Sequence, residues 1–319
     1  MAAEALSPGQ DLDALVHRLL QAAQYTDTRV QAGRLLAVMG TVIKAELPGV
    51  EVGELCEMRS PGMPAVAHAE VIGLDGEIAY LAPFGSMNGL SQKTEIIGTR
   101  RPATLAVGDH LLGTILDGFG EVVGRFAPPF SFGQGRTVVR PIQAPPVSFM
   151  QRQPFTRRLS MGLRAIDGMI TCTEGQRVGI FGNAGTGKSS LIGQIVNATE
   201  ADIVVVALVG ERGREVGGFV NEALAHKIST PSVLVASTSD RPPVERIKAV
   251  HVATTIAEHY RDMGKRVLLV VDSITRLARA LREIGLAAGE PPVRRGFPPS
   301  VFAALPKVFE RAGATHNGS

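Results

Sequence analysis

Residues 178–190 read VGIFGNAGTGKSS: a short apolar run rich in β-formers, a glycine loop, then Lys188-Ser189. From Gly182 to Ser189 this is the P-loop pattern G-x-x-x-x-G-K-[ST], which demands a strand before it and a helix after it. Gly182, Gly185 and Gly187 let the backbone fold into a nest of N–H groups facing phosphate oxygens, with Asn183, Ala184 and Thr186 completing the loop. The helix opening near Lys188 adds the positive end of its dipole. The Lys188 ammonium reaches the β- and γ-phosphates, the Ser189 hydroxyl ligates Mg²⁺, and Ser190 ends the binding run. The pattern says that the chain binds a nucleoside triphosphate. The strand-like run before the loop and the helical LIGQIVNAT after it argue against an accidental glycine-rich turn.

Composition narrows the field. With 319 residues, 45% hydrophobic and 20% charged, the chain can build two domains with cores of their own. A net charge of +3 is no electrostatic footprint for nucleic acid, and with no Trp and 3 Tyr there is little to stack single strands on. Cys56 and Cys172 stand alone, as expected of buried thiols in a reducing compartment. The 7 histidines are scattered without ligand spacing. No long apolar run reads as a membrane span, and the start lacks a signal peptide's basic and apolar regions, so a cytoplasmic location is expected.

Residues 1–28 hold a short amphipathic stretch, with Leu12, Leu15, Val16, Leu19 and Leu20 at helical spacing. It reads equally as a helix docked on its own domain and as a segment offered to a partner or a membrane surface. From 29 to 100 the texture is β: short runs broken by Pro48-Gly49, Pro61-Gly62 and the hairpin signal Asp75-Gly76 predict a small closed barrel. Residues 101–155 read as a connector, proline-rich beyond 127. From 156 to 319, the apolar runs 177–181, 202–210, 232–237 and 266–272 alternate with helical stretches at 188–199, 214–228, 243–263 and 275–288. Continuously apolar strands alternating with helices predict an α/β P-loop domain on a parallel sheet covered on both faces.

In such a sheet, ligands gather beyond the carboxyl ends of the strands. Asp272 closes the apolar run RVLLVVD, the Walker-B pattern, and is expected to hold the Mg²⁺ shell opposite Ser189. Glu211 closes DIVVVALVG and can polarise an attacking water, unless it serves a salt-bridge cluster with Arg212 and Arg214. Arg212 can touch the γ-phosphate and keep Glu211 ionised. Arg276, one turn after Asp272, is a second phosphate contact or a structural arginine.

GNAGTGKSSLI, ALVGERGREV, TSDRPPVERIKA and the long stretch from VLLVVDSITRLARALREIGLAAGEPPVRRGFPPS to VFAALPKVFERAG resemble the catalytic ATPase of type III protein secretion systems. These are relatives of the rotary ATP synthase β subunit, and the resemblance runs from about residue 30 onward. GTVIKAELPGVEVGELCEMR and GDHLLGTILDGFGE look more like the injectisome branch than the flagellar export ATPase. The resemblance implies a β-barrel domain, a RecA-like nucleotide domain and a helical C-terminal domain, assembled as a homohexameric ring peripheral to the cytoplasmic face of the inner membrane. It implies ATP and Mg²⁺ as ligands, and energy-driven release of chaperones and unfolding of exported effectors. It makes Lys188 and Ser189 the Walker-A residues, Glu211 the catalytic carboxylate, Asp272 the Walker-B aspartate, and Arg212 and Arg276 γ-phosphate contacts. The loop 289–300 matches a segment facing the ring's pore, where a central stalk inserts, with Phe297 in place of the usual tyrosine. The N-terminal helix falls where the family binds its stator.

The family pattern continues beyond ERAGATHNGS into a further strand, an inter-subunit arginine finger, an adenine-stacking aromatic and the helical domain. That strand lies between the P-loop strand and the Walker-B strand. Residues 1–319 therefore read as an incomplete domain, expected to be poorly soluble or inactive alone. Two rival readings stand beside this one. A Rho-type RNA translocase also pairs a small barrel with a RecA-like core, but the near-neutral charge and scarce aromatics speak against it. A non-catalytic ring subunit would usually lack the carboxylate at 211.

Overall fold

The computed structural model describes Val16 and residues 32–60, 67–133, 136–183, 185–224 and 230–319. The expected helix within residues 1–28 lies outside the described residues, apart from Val16.

Ala32–Met39 (β1), Val42–Glu46 (β2), Glu54–Arg59 (β3), Ala67–Asp75 (β4), Ile78–Phe84 (β5) and Glu95–Pro102 (β6) close into a barrel in the order β1-β2-β5-β4-β3-β6. Closure leaves no edge bare, because β6 pairs back onto β1 at Arg34↔Glu95. β4 and β5 meet in a tight hairpin at Gly76, whose φ of 61° suits a residue without Cβ. The barrel is filled by Ile43, Leu47, Met58, Val71, Leu81 and Ile96, each almost wholly withdrawn from water. Full burial of such side chains contributes about 1.5–3 kcal/mol apiece.

The segment read as a connector departs from expectation. It holds Thr104–Val107 (β7), Thr114–Leu116 (β8), Val122–Arg125 (β9) and Val138–Pro141 (β10). β7 and β10 pair with each other, whereas β8 and β9 join the sheet of the following domain. β8 is only three residues long and β10 ends in a proline, so neither gives a period in the sequence. Their pairing comes from the partner strand.

Beyond them come Arg164–Met169 (α1), Lys188–Ala198 (α2), Ile203–Glu211 (β11), Gly213–Phe219 (α3), Ser232–Thr238 (β12), Pro243–Asp262 (α4), Val267–Asp272 (β13), Ile274–Ala287 (α5) and Pro299–Arg311 (α6). The sheet order is β13-β11-β12-β8-β9, parallel except for β9. β11 is apolar throughout because both its faces are covered. Ile203, Val205, Ala207 and Val209 join the core built on α4, while Val204, Val206 and Leu208 pack with Ile192 and Val196 of α2.

Three further differences have local causes. The run 177–181 forms no strand: it has no ladder partner among the described residues, and Val178 and Phe181 are 55% and 95% exposed. The edge of β13 away from β11 instead carries Ser319, through Val267 N–H to Ser319 O at 2.8 Å and Ser319 N–H to Lys265 O at 3.2 Å. The helix expected at 214–228 stops as α3 at Phe219 and passes into a π-turn over Val220–Leu224, after the helix-weakening pair Gly217-Gly218. α6 had no counterpart in the sequence reading, although Pro298-Pro299 is a helix-start signal and Val301, Leu305 and Val308 share one face.

α4 carries buried charge. Lys248 donates to Glu70 of β4 at 2.7 Å, an ion pair between the two domains whose side chains are 2% and 6% exposed. Three turns along, Arg311 of α6 is held by Glu258 at 2.9 and 2.7 Å and by Thr255, and donates to the carbonyl of Ile142. His251 sits between them and accepts from Arg311 at 3.2 Å. Desolvation, with Lys248 and Arg311 beside it, pushes this imidazole down to about 3. The unfolded chain therefore binds a proton below pH about 6.5 that the folded chain refuses, and stability falls as pH drops. His251→Gln is expected to flatten that fall by up to about 1.4 kcal/mol per pH unit between pH 6.5 and 5, read from urea unfolding at each pH. Parallel slopes for the two proteins would show that His251 is not the group responsible.

Candidate active site

The glycine loop folds as its composition requires. Gly185 and Gly187 take φ of 77° and 85°, and Gly187 is the residue from which α2 springs. A Cβ at Gly182 would stand 2.6 Å from Thr186 Oγ1, which itself donates to Asn183 O at 2.8 Å. Ala184 lies outside the described residues. Lys188 turns back over the loop, its ammonium donating to the carbonyls of Gly182 at 2.5 Å and Asn183 at 2.9 Å. These neutral acceptors hold the lysine over the loop, and charged phosphate oxygens are stronger acceptors for the same donor.

Ser189 and Ser190, in the first turn of α2, open onto a cavity of about 440 Å³. Glu211 and Asp272 line it from the sheet side. Their meeting follows from register: Asp272 ends β13 opposite Leu208 of β11, and Glu211 ends β11 itself. Burial pushes the Asp272 carboxyl up, against the pull of Arg276 and Lys188 nearby.

Glu211 is the most perturbed group of the site. Desolvation and a hydrogen bond with Glu215 push it up to about 7, with Arg276 opposing and Asp272 adding. Glu215 moves the other way, chiefly through the same hydrogen bond. Desolvation, the largest cause at Glu211, favours its neutral form, while the hydrogen bond between the two favours the charged form of Glu215. Glu211 is also ion-paired with Arg276.

The two arginines divide differently from the sequence reading. Arg212 does not pair with Glu211. It caps α3, with its Nη1 and its backbone N–H both 3.3 Å from Glu215, and its side chain faces solvent. Arg276 alone is drawn to Glu211, and Arg214 is no part of that pair. Glu215 escaped the sequence reading. Its signal was the spacing from Arg212, because a glutamate three residues after a helix cap points back at the cap. Gln194 and Asn197 also line the cavity; they follow Ser190 at i+4 and i+7 and so share its helix face.

The loop 289–300 is ordered by its own turn. Arg294 and Phe297 form a bridge closed by Arg295 and Gly296 at φ of 53° and 77°. Arg282 of α5 lies over the Phe297 ring, 5.4 Å from its centre. Glu290 accepts from the N–H of Ser300 at the start of α6. Among the described residues, no helix is long and apolar enough to cross a membrane, and no group of His, Cys, Asp and Glu gathers as a ready-made metal site.

This architecture has known counterparts. Residues 35–100 match the β-barrel domain of the ATP synthase alpha/beta family, and residues 162–319 match its nucleotide-binding domain. A type 3 secretion system ATPase of Xanthomonas euvesicatoria is 48% identical over 290 residues, covering 90% of this chain and 64% of the relative. Its counterpart in Sinorhizobium fredii is 45% identical over 312 residues, covering 98% of this chain and 68% of the relative. Among solved structures, the assembled ATPase EscN of the enteropathogenic E. coli type III secretion system superposes with a TM-score of 0.80 at 44% identity, over 90% of this chain and 68% of EscN. EscN has also been solved in complex with its central stalk EscO, and there the TM-score is 0.76. The chain thus spans about two thirds of the length of these relatives. Alike in barrel, nucleotide domain and sequence, it belongs to the type 3 secretion system ATPase family.

Proposed function

We propose that this chain carries the nucleotide site of an ATPase that powers type III protein secretion. One observation supports this above the others: Glu211 and Asp272 close neighbouring parallel strands and face the same cavity as Ser189, at the mouth of a glycine loop. Lys188 exchanges its two loop carbonyls for β- and γ-phosphate oxygens. Glu211 orients the attacking water and takes up its proton, while Arg276 and Arg212 balance the charge on the γ-phosphate. Ser189 and Asp272 fit Mg²⁺, because a hydroxyl and a desolvated carboxylate on one cavity are the hard oxygen donors that it takes. When bound, the ion neutralises phosphate charge.

In this reading the working form is a homohexamer with a central stalk at its pore, as the assembled EscN and its complex with EscO suggest. A stator, chaperone–effector complexes and a peripheral position at the cytoplasmic face of the inner membrane follow from the family. The charge of +3 gives no reason to add nucleic acid. The unladdered run 177–181 and the half-open edge of β13 favour a second reading for residues 1–319 alone, namely nucleotide binding with little turnover.

The test is ATP turnover against protein concentration, for residues 1–319 beside a chimaera carrying the last third of the Xanthomonas relative, with Lys188→Ala as the blank. The chimaera is expected to hydrolyse ATP with specific activity rising as rings assemble, and the short chain to bind without turnover. Equal turnover by the short chain would place catalysis wholly within 1–319. Neither binding nor turnover by either protein would overturn the ATPase reading.

A further inference from the structure

Arg276 reaches Glu211 by way of Gly210. The pairing of β11 with β12 slips between Val209 and Glu211, and Gly210 occupies the slip at φ of 68°. A methyl group on Gly210 would stand 3.1 Å from Cδ, 3.4 Å from Cβ and 3.7 Å from Cγ of Arg276. The arginine stem therefore lies along a bare α-carbon, and the guanidinium at its end pairs with Glu211. The same guanidinium acts on Asp272, whose other cationic neighbour is Lys188 of the loop. One planar fork thus sits between a carboxylate and the place where phosphate charge would gather.

We propose that Arg276, guided by Gly210, is a positioning residue that holds Glu211 while the site is empty and releases it when a γ-phosphate takes the guanidinium. This rests on reading 182–189 as a triphosphate loop and Glu211 as the carboxylate that orients water. Two anions compete for one cation, so the ion pair opposes ATP, which brings the competing group, and is indifferent to ADP, which lacks it. A ligand shifts such an equilibrium only by its different affinity for the two states. In the empty site Arg276 also favours the charged form of Glu211 against desolvation, so the carboxylate gains from the pairing that the triphosphate removes.

The experiment is equilibrium binding of fluorescent ADP and of a fluorescent, non-hydrolysable ATP analogue to residues 1–319 in the presence of Mg²⁺. Glu211→Gln removes one competitor and is expected to tighten the ATP analogue about tenfold while leaving ADP within about twofold. In an Arg276→Gln background that gain should vanish, and Arg276→Lys, which keeps the charge, should restore part of it. Gly210→Ala puts a methyl group against the arginine stem and should also abolish the gain. If that variant does not fold, the Arg276 pair decides the matter. Equal tightening of ADP, or equal tightening with Arg276 replaced, would overturn the proposal and leave the ATPase reading intact. Failure of the wild-type chain to bind either nucleotide would remove the triphosphate reading and the proposal together.

Discussion

Glu211→Gln is expected to cut steady-state ATP turnover by about 10²- to 10⁴-fold while nucleotide binding survives. Glutamine keeps the size and one acceptor of the side chain but cannot take a proton from water. The loss should fall on kcat, because the loop, Lys188 and Ser189 that hold the triphosphate are untouched. The wild type offers a companion signature. With the Glu211 carboxyl pushed up to about 7, the base is half protonated near neutrality. Because the proton must be off for Glu211 to act, kcat/KM should rise with pH through about 7 and level off above it. Phosphate release from the chimaera across pH 6 to 9 measures both. A variant that keeps more than a tenth of wild-type turnover would remove Glu211 from the chemistry.

The second large effect concerns stability. Lys248→Met is expected to cost about 3–5 kcal/mol in unfolding free energy. Lys248 and Glu70 are almost wholly withdrawn from water, and burial disfavours the charge of Lys248 while Glu70 sustains it. Removing only the lysine leaves Glu70 with no counter-ion at the boundary between barrel and α4. Removing both, as Lys248→Met with Glu70→Leu, should recover most of the loss, since a matched apolar pair needs no compensation there. Urea unfolding of the single and double variants forms the test. A single variant within about 1 kcal/mol of wild type would mean that water reaches the pair after all.

The parts of this molecule that a sequence reveals are those governed by local chemistry. The glycine loop is legible because backbone approach to phosphate requires glycine at particular places, and Lys188 and Ser189 follow at fixed spacing. β11 and β13 are legible because both are apolar runs that stop at an acid, β11 buried on both faces and β13 half-buried along its length. Glu215 had a local signal in its spacing from Arg212, whereas the pairing of Arg276 with Glu211 was hidden for the opposite reason. It depends on how the end of β11 and the start of α5 come together in space, and no periodicity records that. The run 177–181 shows the limit from the other side: its residues suit a strand, but a strand also needs a neighbour. β8 fails as a sequence signal because it is too short to carry a pattern, although its place in the sheet is well defined by pairing with Leu234 and Val235.

That short strand has a practical consequence for anyone recombining these proteins. β8 and β9 precede the glycine loop by more than fifty residues in the chain, yet they form one side of its sheet. A cut at residue 155, where the prolines invite one, would strip β12 of its outer neighbour and expose its backbone groups to any strand that drifts by. The seam between exchangeable modules lies instead near Ala103, between β6 and β7. A donor barrel joined there keeps the nucleotide sheet whole, but it must also bring an acid at the position of Glu70. Otherwise the graft meets Lys248 with nothing to answer its charge.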